Sequence, residues 1–111
     1  MEISYHGLKK LTFDEVSTIQ TLSQKYYNKF LRDFENPKLI VDIKKYDKEG
    51  NKAKYAISLR LEIPTIISSK QADWDLRRAL HESFENLENA IHHKYKTEGQ
   101  KPRILQKFKR L

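Results

Sequence analysis

Four side chains of this 111-residue chain have a spacing that could do chemistry: His81, Glu85, Glu88 and His92 stand at offsets 0, 4, 7 and 11. On a helix this puts two imidazoles and two carboxylates on one face, where a divalent metal could bridge an adjacent pair. The same spacing describes ordinary solvent-side helix pairs, and a surface stripe lacks the water exclusion and supporting hydrogen bonds of a working site, so no metal is expected. His92 and His93 point about 100° apart on a helix and cannot chelate together. Nucleophilic catalysis has less footing. The chain has no cysteine, no G-x-S-x-G turn and, between residues 8 and 98, the single glycine Gly50. Nothing therefore lifts a serine above an oxyanion hole or cradles a phosphate. Asp73 and Asp75 are better placed as helix caps than as an acid–base pair. The expectation is no enzyme, no cofactor and no small-molecule substrate.

The charge is more telling. The chain carries 22 basic and 15 acidic side chains, a net +7. From Lys94 onward, Lys94, Lys96, Lys101, Arg103, Lys107, Lys109 and Arg110 face the single acid Glu98, so these eighteen residues hold +6 and the rest is nearly neutral. Such an end attracts polyanions. Its apolar residues Ile104, Leu105, Phe108 and Leu111 fall at offsets 0, 1, 4 and 7, one stripe if the segment becomes helical. Interrupted by Pro102, it is too short to hold a helix alone in water and is expected to order on a partner. Lysine and arginine interleaved with Phe108 suit phosphate contact with stacking, whereas too few apolar anchors are present for stable membrane residence. Lys54 and Arg60 fall on one outer strand face, and Arg77 and Arg78 open a helix.

The elements that would position these residues follow from periodicity. Glu2 to Tyr5 alternate weakly as a first strand. Thr12-Phe13-Asp14-Glu15 reads as a capping box, followed by a helical stripe of Val16, Ile19, Leu22, Tyr26, Tyr27, Phe30 and Phe34 that Asn36-Pro37 ends. Leu39, Val41 and Ile43 alternate as a second strand, and Asp47-Lys48-Glu49-Gly50-Asn51 supplies a turn. Tyr55, Ile57, Leu59, Leu61 and Ile63 make a third strand covered on one face, and after Pro64 a fourth is expected over Thr65 to Ser69. Asp73 or Asp75 caps a second helix with the buried stripe Leu76, Ala79, Leu80, Phe84, Leu87, Ile91 and Tyr95, and Gly99 follows it. The order β-α-β-β-β-α predicts an α+β sandwich, two helices on one face of a four-stranded, mainly antiparallel sheet. Residues 1–97 are expected to form a single domain and 98–111 a basic tail. A core of this size leaves little room for a deep enclosed pocket. The lack of cysteine, of any long apolar run and of a signal-peptide layout predicts a cytoplasmic protein.

Arranged so, the segments resemble the ribosome hibernation-promoting factor and protein Y family. The resemblance covers about residues 1 to 97. Asp33-Phe34-Glu35-Asn36-Pro37-Lys38-Leu39-Ile40-Val41 is similar to that family's loop after its first helix, and Lys29-Phe30 matches a lysine–aromatic pair near the helix end. Asp75, Leu76, Ala79, Leu80, Ser83, Phe84, Leu87-Glu88 and Ile91 fall on the family's D-M-Y-A-A-I-D-x-A-x-D-K-L-E-R-Q-L pattern. Asn86 and Asn89 stand where that pattern is basic, and Arg77 where it has tyrosine, which makes this helix face less cationic.

The resemblance, to the short forms of the family, implies a factor that binds the small ribosomal subunit and its rRNA in the channel used by messenger and transfer RNA. It would block translation there and preserve idle ribosomes under stress. The RNA-contacting residues expected are Lys94, Lys96, Lys101, Arg103, Lys107, Phe108, Lys109 and Arg110, with Lys29, Arg77 and Arg78 in support. The fold order also resembles the double-stranded RNA-binding domain, so a structured-RNA module is a second reading, and a protein-interaction or oligomerisation domain using the open sheet face a third. Nothing in the sequence points to dimerisation.

Overall fold

Alternation of apolar and polar residues over two ten-residue runs builds the centre of the molecule. In the computed structural model, which describes residues 3–47 and 53–98, these runs are strands β2 (Lys38–Asp47) and β3 (Ala53–Glu62). They pair antiparallel along their whole length, Lys38 opposite Glu62 and Asp47 opposite Ala53. Strand β1 (Ile3–His6) lies parallel to β2 at one edge, and β4 (Ile66–Asp73) antiparallel to β3 at the other, so the strand order is β1-β2-β3-β4. The sheet is thus mixed with one parallel pair, and the element order is β-α-β-β-β-α as expected.

Helices α1 (Phe13–Asp33) and α2 (Leu76–Glu98) cover one face of this sheet. Leu39, Val41, Ile43, Ile57, Leu59, Leu61 and Ile67 are buried on it. They meet Ile19, Leu22, Tyr26, Tyr27 and Phe30 of α1, and Leu76, Ala79, Leu80, Phe84, Leu87 and Ile91 of α2. The predicted helical stripes are therefore core from Ile19 to Phe34 and from Leu76 to Ile91, while Val16 is half-buried. The capping box forms: Thr12 Oγ1 accepts from the Glu15 amide at 3.2 Å, and Glu15 Oε1 accepts from the Thr12 amide at 2.9 Å. Phe34 ends α1 with an extended backbone, and Tyr27 donates its hydroxyl to the Pro37 carbonyl at 2.8 Å, tying the exit loop to the helix.

Gly7, immediately after β1, has φ +89, and a Cβ there would run into the Ile43 carbonyl oxygen. Only glycine combines this backbone conformation with so close an approach of two backbone segments.

One local detail differs from expectation. Strand β4 runs on to Asp73 instead of stopping at Ser69. Its second half, Lys70-Gln71-Ala72-Asp73, is polar and lacks strand propensity, but pairing with β3 continues to Tyr55 opposite Asp73. Ladder hydrogen bonds and contacts to α2 override local preference here. Asp75 is the residue that caps α2, its Oδ1 accepting from the Arg78 amide at 3.0 Å, while Asp73 Oδ1 accepts from the Asp75 amide at 3.0 Å. The bond from the Asp75 amide holds the Asp73 carboxyl below its ordinary value, aided by the charge and hydrogen bond of the Arg78 guanidinium. Of the predicted turn at 47–51, Asp47 is the last residue of β2 and the rest lies outside the described residues, as do the burial of Tyr95 and the stop at Gly99.

Candidate nucleic-acid interface

Helices on one face leave the other face of the sheet open. Period-two alternation assigns to it the residues between the buried ones, and the cations among them come from three strands: Lys38 and Lys44 of β2, Lys54 and Arg60 of β3, and Lys70 of β4. Against them stand the carboxylates Asp42 and Glu62. Arg60 Nε and Glu62 Oε2 pair at 3.2 Å, whereas Lys38, Lys44 and Lys70 make no ion pair among the described residues. Between the cations, Ile40 on β2, Ala56 and Ser58 on β3 and Ser68 on β4 line an open groove of about 720 Å³ with His6, Asp42, Lys44, Arg60 and Lys70. Tyr46 borders the same groove. An open cationic groove with hydroxyls, and an aromatic at its rim, suits an extended phosphate backbone.

The residues singled out from sequence are not gathered in one place. Arg77 and Arg78 are exposed at the start of α2, and Arg78 Nε pairs with Asp73 Oδ2 at 3.1 Å. Lys94 sits sixteen residues further along the same helix, about 24 Å away. Lys29, on α1, pairs with Glu88 Oε2 of α2 at 3.7 Å and lies 5.0 Å over the Tyr26 ring. The side chain of Lys96 and all of Lys101, Arg103, Lys107, Phe108, Lys109 and Arg110 lie outside the described residues.

The stripe His81, Glu85, Glu88 and His92 turns out to be divided between solvent and the other helix. His81 Nδ1 shares a hydrogen bond with the Tyr26 hydroxyl at 3.2 Å, and its ring meets Tyr26 edge-on at 6.1 Å. Tyr26 also stacks on Phe84, centroids 4.4 Å apart and planes 3° from parallel. Burial, then the charges of Glu88 and Glu85, pushes the Tyr26 hydroxyl above its ordinary value. His81 and Glu88 thus belong to the seam between the helices, not to a solvent-side stripe, because α1 packs against that flank of α2. Among the described residues no cluster of three His, Asp or Glu could hold a metal ion, and no helix is long and apolar enough to cross a membrane.

Asn86, which replaces a basic residue of the family pattern, has a packing role: its Nδ2 donates to Gln71 Oε1 at 3.0 Å, and Gln71 Nε2 donates to Glu82 Oε1 at 3.3 Å. Ser69 adds a bond to the Ser83 carbonyl at 2.8 Å. These contacts clamp the polar half of β4 to α2, and they fix Lys70, between Ser69 and Gln71, on the opposite, open face. Sequence reading found Lys54 and Arg60 but missed Lys38, Lys44, Lys70, Tyr46 and Trp74. Alternation within β2 already placed Lys44 opposite the core residues. Ending β4 at Ser69 hid Lys70 and Trp74.

No protein-family model matches the chain, and no curated protein matches its sequence. Its fold is that of a solved ribosomal subunit interface protein from Coxiella burnetii. The two superpose with a TM-score of 0.59 over 87% of this chain and 99% of that one, at 18% identity.

Proposed function

We propose that this protein is a ribosome-associated RNA-binding factor of the cytoplasm that occupies the messenger and transfer RNA channel of the small subunit, inhibits translation and preserves inactive ribosomes under stress. One observation carries the reading: the face its helices leave uncovered presents Lys38, Lys44, Lys54, Arg60 and Lys70 against Asp42 and Glu62, on a fold shared with a ribosomal subunit interface protein. The +6 end supports the same reading from the sequence. In this proposal residues 1–97 act as one domain that supplies shape and placement, and 98–111 as a tail that adds long-range attraction through Lys101, Arg103, Lys107, Lys109 and Arg110.

Cosedimentation tests it. The full chain is expected to pellet with small subunits at low salt and to prefer them strongly over naked duplex RNA, with release as salt rises. Remaining in the supernatant would end the ribosome reading, and equal binding to free duplex would favour a structured-RNA module. Association with itself, indifferent to RNA, would favour an oligomerisation domain. Deleting residues 98–111 is expected to weaken pelleting; unchanged pelleting would remove the tail from the contact set.

A further inference from the structure

At one end of the open face three side chains from neighbouring strands stand in a row. Tyr46 of β2 is the register partner of Lys54 of β3. Trp74 follows Asp73, whose partner is Tyr55, so Trp74 lies across β3 from Tyr46 with Lys54 between them. The Lys54 ammonium is 5.9 Å from the Trp74 ring centroid. Both rings are unusually open for their size, Tyr46 at 48% and Trp74 at 52% exposure. Strands lie about 4.8 Å apart, so the two rings are rooted about 10 Å apart with one cation between them.

We propose that Tyr46, Lys54 and Trp74 form a stacking platform for two consecutive unpaired nucleotides of single-stranded RNA, one base on each ring and the linking phosphate at Lys54. The inference rests on the RNA-binding reading and adds to it a subsite and a strand state. Duplex RNA hides its base faces and offers only backbone, so it cannot use the rings. Beyond the platform the strand continues over Ala56 and Ser58, with Lys44 on one flank and Lys70 on the other. A second copy of this chain fits poorly, since face-to-face pairing would oppose like charges.

Trp74 is the chain's only tryptophan, so the intrinsic emission of the full protein reports this site. A short single-stranded oligouridylate is expected to quench that emission saturably, and inorganic polyphosphate is not. With the same oligonucleotide fluorescein-labelled and followed by anisotropy, Tyr46→Ala and Trp74→Ala should each weaken binding by about tenfold, while Trp74→Phe retains most of the affinity. Unchanged thermal melts would exclude misfolding of the variants. Absence of quenching by RNA, or wild-type affinity in both alanine variants, would overturn the platform. Pelleting of the same proteins with small subunits separates the two levels: a wild type that pellets but shows no quenching loses the platform alone, and one that neither pellets nor binds the oligonucleotide loses the RNA reading as well.

Discussion

Replacing Glu15 should expose how the first helix is fastened to the sheet. Its carboxylate accepts from the Thr12 amide at 2.9 Å, from Lys45 Nζ at 3.2 Å and from the Tyr55 hydroxyl, so a helix cap reaches two strands at once. The Glu15 and Lys45 side chains are only 16% and 15% exposed, too little for solvent to take over either partner's role freely. Burial raises the Glu15 carboxyl, but the bonds from Tyr55, Thr12 and Lys45, with the lysine's charge, outweigh it and hold the group below its ordinary 4.5.

A charge-assisted bond to Tyr55 contributes about 1.5–3 kcal/mol, and the reciprocal cap with the lysine pair about 1 kcal/mol more. Glu15→Ala should therefore cost about 3 kcal/mol at pH 7, a large fraction of a small domain's stability. Since the folded value is depressed, the share of this contribution that depends on the ionised carboxylate is fully present above the unfolded value and is lost as pH falls through the folded one. Urea unfolding of wild type and variant at pH 7 and near pH 3, followed by circular dichroism, measures both gaps. The difference between the proteins should shrink at low pH. A difference below about 1 kcal/mol at neutral pH, or one indifferent to pH, would refute the argument. Adding Tyr55→Phe in a double-mutant cycle isolates the shared bond.

Other outcomes follow from the same geometry. Lys44→Ala with Lys70→Ala should reduce the slope of log affinity against log salt for single-stranded RNA by about 1.4, read from an anisotropy titration over a salt series. Phe84→Ala removes the ring stacked on Tyr26 from a fully buried position and should cost about 3–5 kcal/mol in denaturant unfolding. Gly7→Ala combines positive φ with a clash against the Ile43 carbonyl and should destabilise by more than about 1 kcal/mol, visible as a lower melting temperature. Lys29→Ala breaks a partly exposed pair with Glu88 and should change stability by less than about 1 kcal/mol.

Sequence alone determined much of the fold. The alternation at Leu39, Val41 and Ile43 and from Tyr55 to Leu61, the helical stripes from Ile19 to Phe34 and from Leu76 to Ile91, and the Thr12–Glu15 box are local patterns, and each appears where its spacing put it; Ile63 falls one residue past β3. Local patterns say which face a residue takes, because side-chain direction repeats every two residues in a strand and every 3.6 in a helix. They do not say which faces meet. Only the tertiary structure brought Lys44, Lys54 and Lys70 onto successive rungs of one face, through strand register and the extension of β4 under the hold of Gln71 and Ser69. It likewise turned His81 and Glu88 toward Tyr26 and Lys29, residues more than fifty positions away along the chain. A sequence carries the charge of each residue, whereas the field a partner feels is the sum over residues that pairing and packing have made neighbours.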